Sequence, residues 1–390
     1  MTNTERHIRS ALSHFSFLSD VHVVGGAVRD MIVGRESDDI DLATSDRPED
    51  VIEKAENRGW NVHKTGIDHG TVTATFHRDV TRGPGEFEIT TFRRDVSTDG
   101  RNATVEFADD VREDLKRRDF TINAMAVNED MEIIDPFDGQ LDIEKGLVTT
   151  VGYPLTRFQE DFLRIVRAIR FAARFDFHIG HNEKRAMIDH ADKVAKNVSV
   201  ERVMMETKKA MKDDHPTLFL DWMDRLGIFE DFLDAEIYRP NFHQVEPVEN
   251  PEDRMILLVE KLLYNTVTLD NEEVKNRLSL SNEIFDKAKK VGVVFELLST
   301  LISETNRRKV LAANTDVLSE ARRIGTQAKG IPEKRFEKPD VPLEPIVSGQ
   351  DLIDAGLEEG PAIGEFLDEA HRIQLEESIT DKSELLNRIL

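Results

Sequence analysis

Apolar positions follow two periods along this chain. In the first third they come in short β-branched or alternating runs. Residues 21–24 form one such run, Asp38-Asp39-Ile40-Asp41-Leu42 alternates, and residues 71–76 and 86–92 read as strands about a turn at Arg82-Gly83-Pro84-Gly85. A helical pattern runs from Ala27 through Met31 and Ile32 to a stop at Gly34. A second covers residues 48–58, with Asp46 as its N-cap. Residues 95–102 are polar and rich in breakers, which predicts a mobile loop. Residues 121–127 and 131–134 read as a further helix and strand. After about residue 151 the period becomes helical. Phe162, Ile165, Val166, Ile169 and Ala173 place one helix over residues 158–175, and helices follow to the C-terminus. Pro339, Pro342 and Pro345 mark a linker or extended crossing before a last helical unit. The pattern therefore predicts one α/β domain and an all-helical remainder, with Trp60 and Trp222 as packing residues.

The length, 390 residues, allows two or three domains. No apolar run reaches the roughly 20 residues of a bilayer span, and the polar start predicts no secretory signal. Cysteine is absent, which excludes disulfides and thiolate chemistry and suits a reducing cytoplasm. Fifty-two Lys and Arg against 76 Asp and Glu give a net charge of −24, which by itself argues against nucleic acid and hints at a high-salt environment. Local charge can override the total.

Two local features do so. Asp39 and Asp41 lie two apart on an expected strand, so their carboxylates face one side while Ile40 points into the core. Close carboxylates repel unless a cation neutralises them, and Mg²⁺ is the usual one. A lone Asp-x-Asp is more often a solvated strand edge. Gly25-Gly26, between strand and helix, lets backbone N–H groups approach phosphate, and Arg29 on the first turn could add a bidentate contact. The two features together are far more specific than either alone, because metal and triphosphate need each other in space.

These residues carry a resemblance. Gly25-Gly26-Ala27-Val28-Arg29-Asp30 with Gly34-Arg35 and Asp39-Ile40-Asp41 resembles the first signature of class II CCA-adding tRNA nucleotidyltransferases and bacterial poly(A) polymerases. Arg117-Arg118-Asp119-Phe120-Thr121-Ile122-Asn123-Ala124 resembles the second. Asp135-Pro136-Phe137-Asp138-Gly139 resembles the hinge signature, with Asp138 where Gly is usual. Glu160-Asp161-x-x-Arg164 with Arg167 and Arg170 resembles the nucleotide-selecting signature, and Val198-Ser199-Val200-Glu201-Arg202 the last. The resemblance implies an α+β fold: a polymerase-beta-like mixed-sheet head over residues 1–150, then an all-helical neck (151–213), body (214–338) and tail (339–390). It implies Mg²⁺-dependent addition of C, C and A to tRNA from CTP and ATP without a nucleic-acid template. No membrane or protein partner is implied.

On the expected helix, Asp161 and Arg164 are i and i+3 and share a face, with Arg167 and Arg170 extending the stripe. A carboxylate accepts from an exocyclic amine and a guanidinium donates to a ring nitrogen. That matches cytosine and adenine, and it leaves buried groups unpaired with uracil or guanine, at about 1–3 kcal/mol each. The bland alternative is a surface salt bridge. The expected site is then Asp39 and Asp41 on the metal, Glu88 as third carboxylate, Gly25, Gly26, Arg29 and Arg118 at the triphosphate, Asp119 at the ribose and Asp161 with Arg164 at the base. Arg167 and Arg170 serve phosphate or orient Asp161. Thr90, Thr91, Arg93 and the loop to Asn102 are candidates for the element that repositions between C and A. Basic clusters at Lys208-Lys209, residues 287–290, residues 307–309 and Lys334-Arg335 could meet tRNA phosphates, although such clusters are mostly solvated helix faces. His69 reads as structural. The rival readings are a poly(A) polymerase, a partial CC- or A-adding enzyme, or a non-catalytic tRNA-binding protein.

Overall fold

The computed structural model describes residues 2–37, 39–64, 66–67, 70–75, 85–98, 103–238, 240–299, 304–337, 342 and 344–390. His69 and the turn at Arg82-Gly83-Pro84 lie outside the described residues, as do Asn102 and Pro339. The chain forms two compact units, Met1–Asp231 and Phe232–Leu390.

The first unit opens with α1 (Asn3–Phe15), whose Thr2 cap accepts from the Glu5 N–H and whose Ile8, Ala11, Leu12 and Phe15 are buried. Then come β1 (His22–Val24), α2 (Gly26–Val33), β2 (Asp41–Thr44), α3 (Pro48–Glu56), β3 (Asn61–His63), β4 (Thr71–Thr75), β5 (Glu86–Thr91), β6 (Arg93–Thr98), β7 (Ala103–Phe107), α4 (Val111–Lys116), β8 (Ala126–Val127) and β9 (Ile133–Ile134). Seven of these strands make one mixed sheet in the order β3-β4-β5-β2-β1-β8-β9, with β2 and β5 parallel and the other pairs antiparallel. Strand alternation divides the core into two layers. Val23 and Leu42 join Phe15, Trp60 and Phe87 on one face, while Val24 and Ala43 join Phe92, Val111 and Leu115 on the other.

The unit continues with α5 (Gly139–Lys145), β10 (Leu147–Val148), α6 (Pro154–Glu160), α7 (Leu163–Phe175), β11 (His178–Ile179), α8 (His181–His190), α9 (Val194–Asn197), α10 (Val200–Ala210), α11 (Pro216–Arg225) and α12 (Ile228–Leu233), in which the division falls. The second unit is helical: α13 (Pro251–Asn265), α14 (Asn271–Arg277), α15 (Asn282–Ser299), α16 (Glu304–Ala313), α17 (Leu318–Ala328), α18 (Gly349–Asp354), α19 (Ala362–Glu377) and α20 (Lys382–Ile389). Val347, Leu352, Ala370, Ile379 and Leu385 form a separate small core at its end. Buried Gln374 donates to the carbonyls of Pro342 and Glu344, which holds the expected extended crossing against α19.

Four local expectations are corrected. Asp46 does not cap α3; its Oδ2 accepts from the Ser19 N–H and Lys54, and Arg47 takes the cap position. Residues 121–127 are not one helix but a single 3₁₀ turn, Thr121–Asn123, followed by β8. Residues 95–98 of the polar stretch read as a loop belong to β6, which pairs antiparallel with β7 with a bulge between Asp95 and Ser97, while residues 99–102 lie outside the described residues. Hairpin pairing satisfies backbone groups whatever the side chains, so polarity alone misled. Finally, the helix expected over residues 158–175 is broken. Asp161 is extended (φ −159°, ψ 106°), and its Oδ1 accepts from the Leu163 N–H at 3.1 Å. A side-chain acceptor for an orphan helix donor competes with helix continuation, and the apolar period is blind to it.

Candidate active site

The register brings the predicted groups to the strand-end edge of the sheet, where its interior strands β1, β2 and β5 run side by side. Val24 pairs with Asp41, and Asp41 lies beside Glu88 on β5. Gly25 follows Val24 directly. It takes φ +75°, and a Cβ there would collide with Arg118 Nη1, so only glycine lets that guanidinium lie over the turn. β2 begins at Asp41, so Asp39 precedes the strand instead of sitting on it; Ile40 is buried, as expected. Burial, then repulsion from Asp39, with Glu88 adding and Arg118 opposing, pushes the Asp41 carboxyl up to about 6. Such an excess of negative charge is what a divalent cation relieves, so the pair fits a metal. Among the described residues no three His, Asp or Glu side chains close on one point. Glu88, the expected third carboxylate, is exposed on β5 in register with Asp41.

Arg118 and Asp119 link this edge to the helices. Arg118 donates to Asp114 at 3.2 Å and to the Asn123 carbonyl at 3.4 Å. Asp119 is buried. Its Oδ1 accepts from the Phe120 N–H at 2.9 Å and Asn123 Nδ2 at 3.0 Å, and its Oδ2 from Arg167 Nε at 2.8 Å. Burial alone would raise this carboxyl, but Arg167, Asn123 and the Phe120 N–H outweigh it and hold it at about 2.

The break at Asp161 changes the expected base edge. Asp161 and Arg164 do not share one continuous helical face. Arg202 on α10 grips Asp161 with two contacts, 2.7 and 3.3 Å. Arg164 binds Glu160 at 2.5 Å and the Arg157 carbonyl at 2.8 Å. Arg170 is also displaced from its expected role. It is 5% exposed and pairs with Glu206 at 2.5 Å, so it meets neither Asp161 nor solvent. Arg29, expected at phosphate, is likewise buried; it donates to Asp30 at 2.9 Å and Asn123 Oδ1 at 2.5 Å and lies over Phe171 and Phe175. Sequence reasoning left Asn123, Arg202 and Glu206 without a role. Arg202 stood inside a quoted signature, and Asn123 four residues after Asp119 was a visible signal.

Thr90 and Thr91 are structural: Thr90 pairs with Thr71, and Thr91 Oγ1 donates to the Asp46 carbonyl. Trp60 packs between Phe15 and Phe87, and half-buried Trp222 sits under Lys184 and Arg225. Several basic-cluster residues are engaged locally: Lys287 by Glu252 and Glu283, Lys290 by Asp316, and Lys309 by Glu376.

A mixed sheet whose edge joins a Gly-Gly turn, an arginine and an acidic pair, followed by helices, defines a nucleotidyltransferase head. The family model for the poly A polymerase head domain matches residues 21–149, and the model described as "Probable RNA and SrmB- binding site of polymerase A" matches residues 176–237. A zebrafish (Danio rerio) protein named CCA tRNA nucleotidyltransferase 1, mitochondrial, is 31% identical over 90% of this chain and 82% of its own. A CCA-adding enzyme of Levilactobacillus brevis is 31% identical over 89% and 87%. The solved Bacillus stearothermophilus CCA-adding enzyme in complex with CTP superposes with a TM-score of 0.77 at 26% identity, covering 100% of this chain and 97% of that one. The chain belongs to the CCA-adding tRNA nucleotidyltransferase family. Among the described residues no helix is long and apolar enough to cross a membrane.

Proposed function

We propose that this chain adds C, C and A in turn to tRNA 3′ ends from CTP and ATP, without a nucleic-acid template, in the cytoplasm. The supporting observation is that Arg118, whose charge acts on Asp41, is followed directly by Asp119, which accepts from Arg167 on α7, the helix that begins beside Asp161. The tRNA 3′-hydroxyl attacks the α-phosphorus; a P–O bond forms there, the bond to the β-phosphate oxygen breaks, and pyrophosphate leaves. Asp39 and Asp41 would hold Mg²⁺, which when bound activates the hydroxyl and neutralises the leaving pyrophosphate. Arg118 and the backbone at Gly25 and Gly26 take the triphosphate, and Asp119 the ribose. Asp161 and Arg164 read the base edge, each held by a partner, Arg202 and Glu160 respectively. Arg29, Arg167 and Arg170 act here as positioning residues. The four-part division at residues 150, 213 and 338 belongs to the same proposal, and the small core of residues 347–385 supports a distinct tail.

The test offers tRNAs ending before CCA, after C and after CC, with labelled CTP or ATP and Mg²⁺, and sequences the products. Each should be extended to CCA and no further. Asp41→Ala should bind tRNA and add nothing. Long A tails would point to a poly(A) polymerase, a stop after CC to a partial enzyme, and no incorporation by the unaltered chain to a tRNA-binding protein.

A further inference from the structure

We propose that Asn123 is a positioning residue that fixes Asp119 and Arg118 toward the sugar and phosphates of the incoming nucleotide, and thereby sets the preference for ribose over deoxyribose. This rests on the reading of Asp119 as the ribose contact. Asn123 is 6% exposed on the turn Thr121–Asn123. It touches three groups at once. Its Nδ2 donates to Asp119 Oδ1 at 3.0 Å, its Oδ1 accepts from Arg29 Nη1 at 2.5 Å, and its backbone carbonyl accepts from Arg118 Nη1 at 3.4 Å.

The amide has one allowed orientation. Turned over, it would set its NH₂ against a guanidinium and its carbonyl against a carboxylate. Arg29 cannot yield instead, because Asp30 holds its Nε at 2.9 Å and its guanidinium lies 5.1 and 4.8 Å from the Phe171 and Phe175 ring centres. A fixed donor therefore points at Asp119 Oδ1, which also accepts from the Phe120 N–H at 2.9 Å. Two donors fill that oxygen's two lone pairs. Oδ2 meets both arms of the Arg167 fork, Nε at 2.8 Å and Nη2 at 2.6 Å, so the carboxylate is set from both sides and a ribose 2′-hydroxyl that reaches it shares an oxygen whose direction these donors fix. Without the amide, Oδ1 keeps only the Phe120 N–H, so the carboxylate loses one of the groups that set its angle toward the sugar. A side chain that merely packed would leave sugar choice alone.

The test measures kcat and KM for CTP and dCTP on tRNA ending before CCA, in the full chain and in Asn123→Ala, Asp119→Ala and the double variant. The preference for CTP in kcat/KM should fall about tenfold in Asn123→Ala, the scale of one hydrogen bond. The double variant should fall no lower than Asp119→Ala, because the two act as one unit. Asn123→Asp keeps the shape and the acceptor for Arg29 but sets a second carboxylate oxygen against Asp119 in place of the donor, so it reverses the contact; it serves if the alanine variant unfolds, and it too should lose the preference. An unchanged CTP preference in the folded Asn123 variants overturns the proposal, provided Asp119→Ala lowers it. An unchanged preference in Asp119→Ala overturns the ribose reading of Asp119 itself, and the sugar-choice role of Asn123 with it.

Discussion

Glu206 gives the most exacting check on the buried charge network. It is 3% exposed on α10 and accepts from Arg170 at 2.5 Å and Lys209 at 3.1 Å, with Arg167 at 3.6 Å. Arg170 is itself 5% exposed, so Glu206→Ala leaves a buried guanidinium without its counter-charge. Breaking a buried pair from one side costs about 3–5 kcal/mol. Glu206→Gln keeps an acceptor and the shape, so its cost should be smaller, about 1–2 kcal/mol. Both tryptophans, Trp60 and Trp222, lie in the first unit, so tryptophan fluorescence during urea unfolding reports on that unit. With a urea dependence of about 2–3 kcal/mol per molar, the alanine midpoint should drop by roughly 1–2 M. Burial alone would raise the Glu206 carboxyl, but Arg170 and Arg167 outweigh it and lower it from 4.5. Its stabilisation is therefore complete above pH 4.5 and lost as pH falls through the lower folded value. The gap between the unaltered chain and Glu206→Gln should close in that acid range. A midpoint for Glu206→Ala within about 0.3 M of the unaltered chain would refute the reasoning.

Other outcomes follow from the same geometry. The Asp41 carboxyl sits at about 6 against an ordinary 3.8, so the folded chain holds this proton more tightly than the unfolded one between those values. Metal-free protein should therefore gain stability from this group as pH falls from 7 to 5, and Mg²⁺ should raise the melting temperature more at pH 7.5 than at pH 5.0; equal shifts at both would contradict this. Arg202→Ala frees Asp161, so UTP and GTP misincorporation relative to CTP should rise about tenfold in single-turnover assays, whereas unchanged selectivity would deny Arg202 a role. Gly25→Ala forces a side chain into a left-handed turn against Arg118, at about 1–3 kcal/mol, and CTP KM should rise; an unchanged KM would remove Arg118 from the triphosphate.

The sequence made the catalytic edge legible because strand registry is written in alternation. Residues 21–24, the glycine pair and the residues around Asp41 have few alternatives once a sheet is assumed; β1 and α2 formed where expected, while β2 starts at Asp41 and leaves Asp39 just ahead of it. What stayed hidden depends on side chains that interrupt or close structure. Asp161 stops a helix by capping the next one, which no apolar period records. Arg29 and Arg170 look like phosphate ligands by type and spacing. Their burial follows from Phe171, Phe175 and Glu206, partners that lie 36 or more residues from at least one of them. Asn123 reads as a neutral turn residue until the fold places three charged side chains around it.

The same distinction resolves the charge problem. A net −24 argued against phosphate binding, yet apart from the Asp39 and Asp41 pair many acids are engaged by arginines: Asp30 by Arg29, Asp114 by Arg117 and Arg118, Asp119 by Arg167, Glu206 by Arg170, and Asp214 by Arg35. These pairs neutralise one another and exert little field outside. Lys208 and Lys212 are exposed, and among the described residues no carboxylate lies within ion-pairing reach of either. They fall in residues 176–237, the stretch matched by the RNA-binding family model. Total charge is thus a statement about solubility, while the sign seen by an approaching phosphate is set by which side chains are left unpaired at the surface.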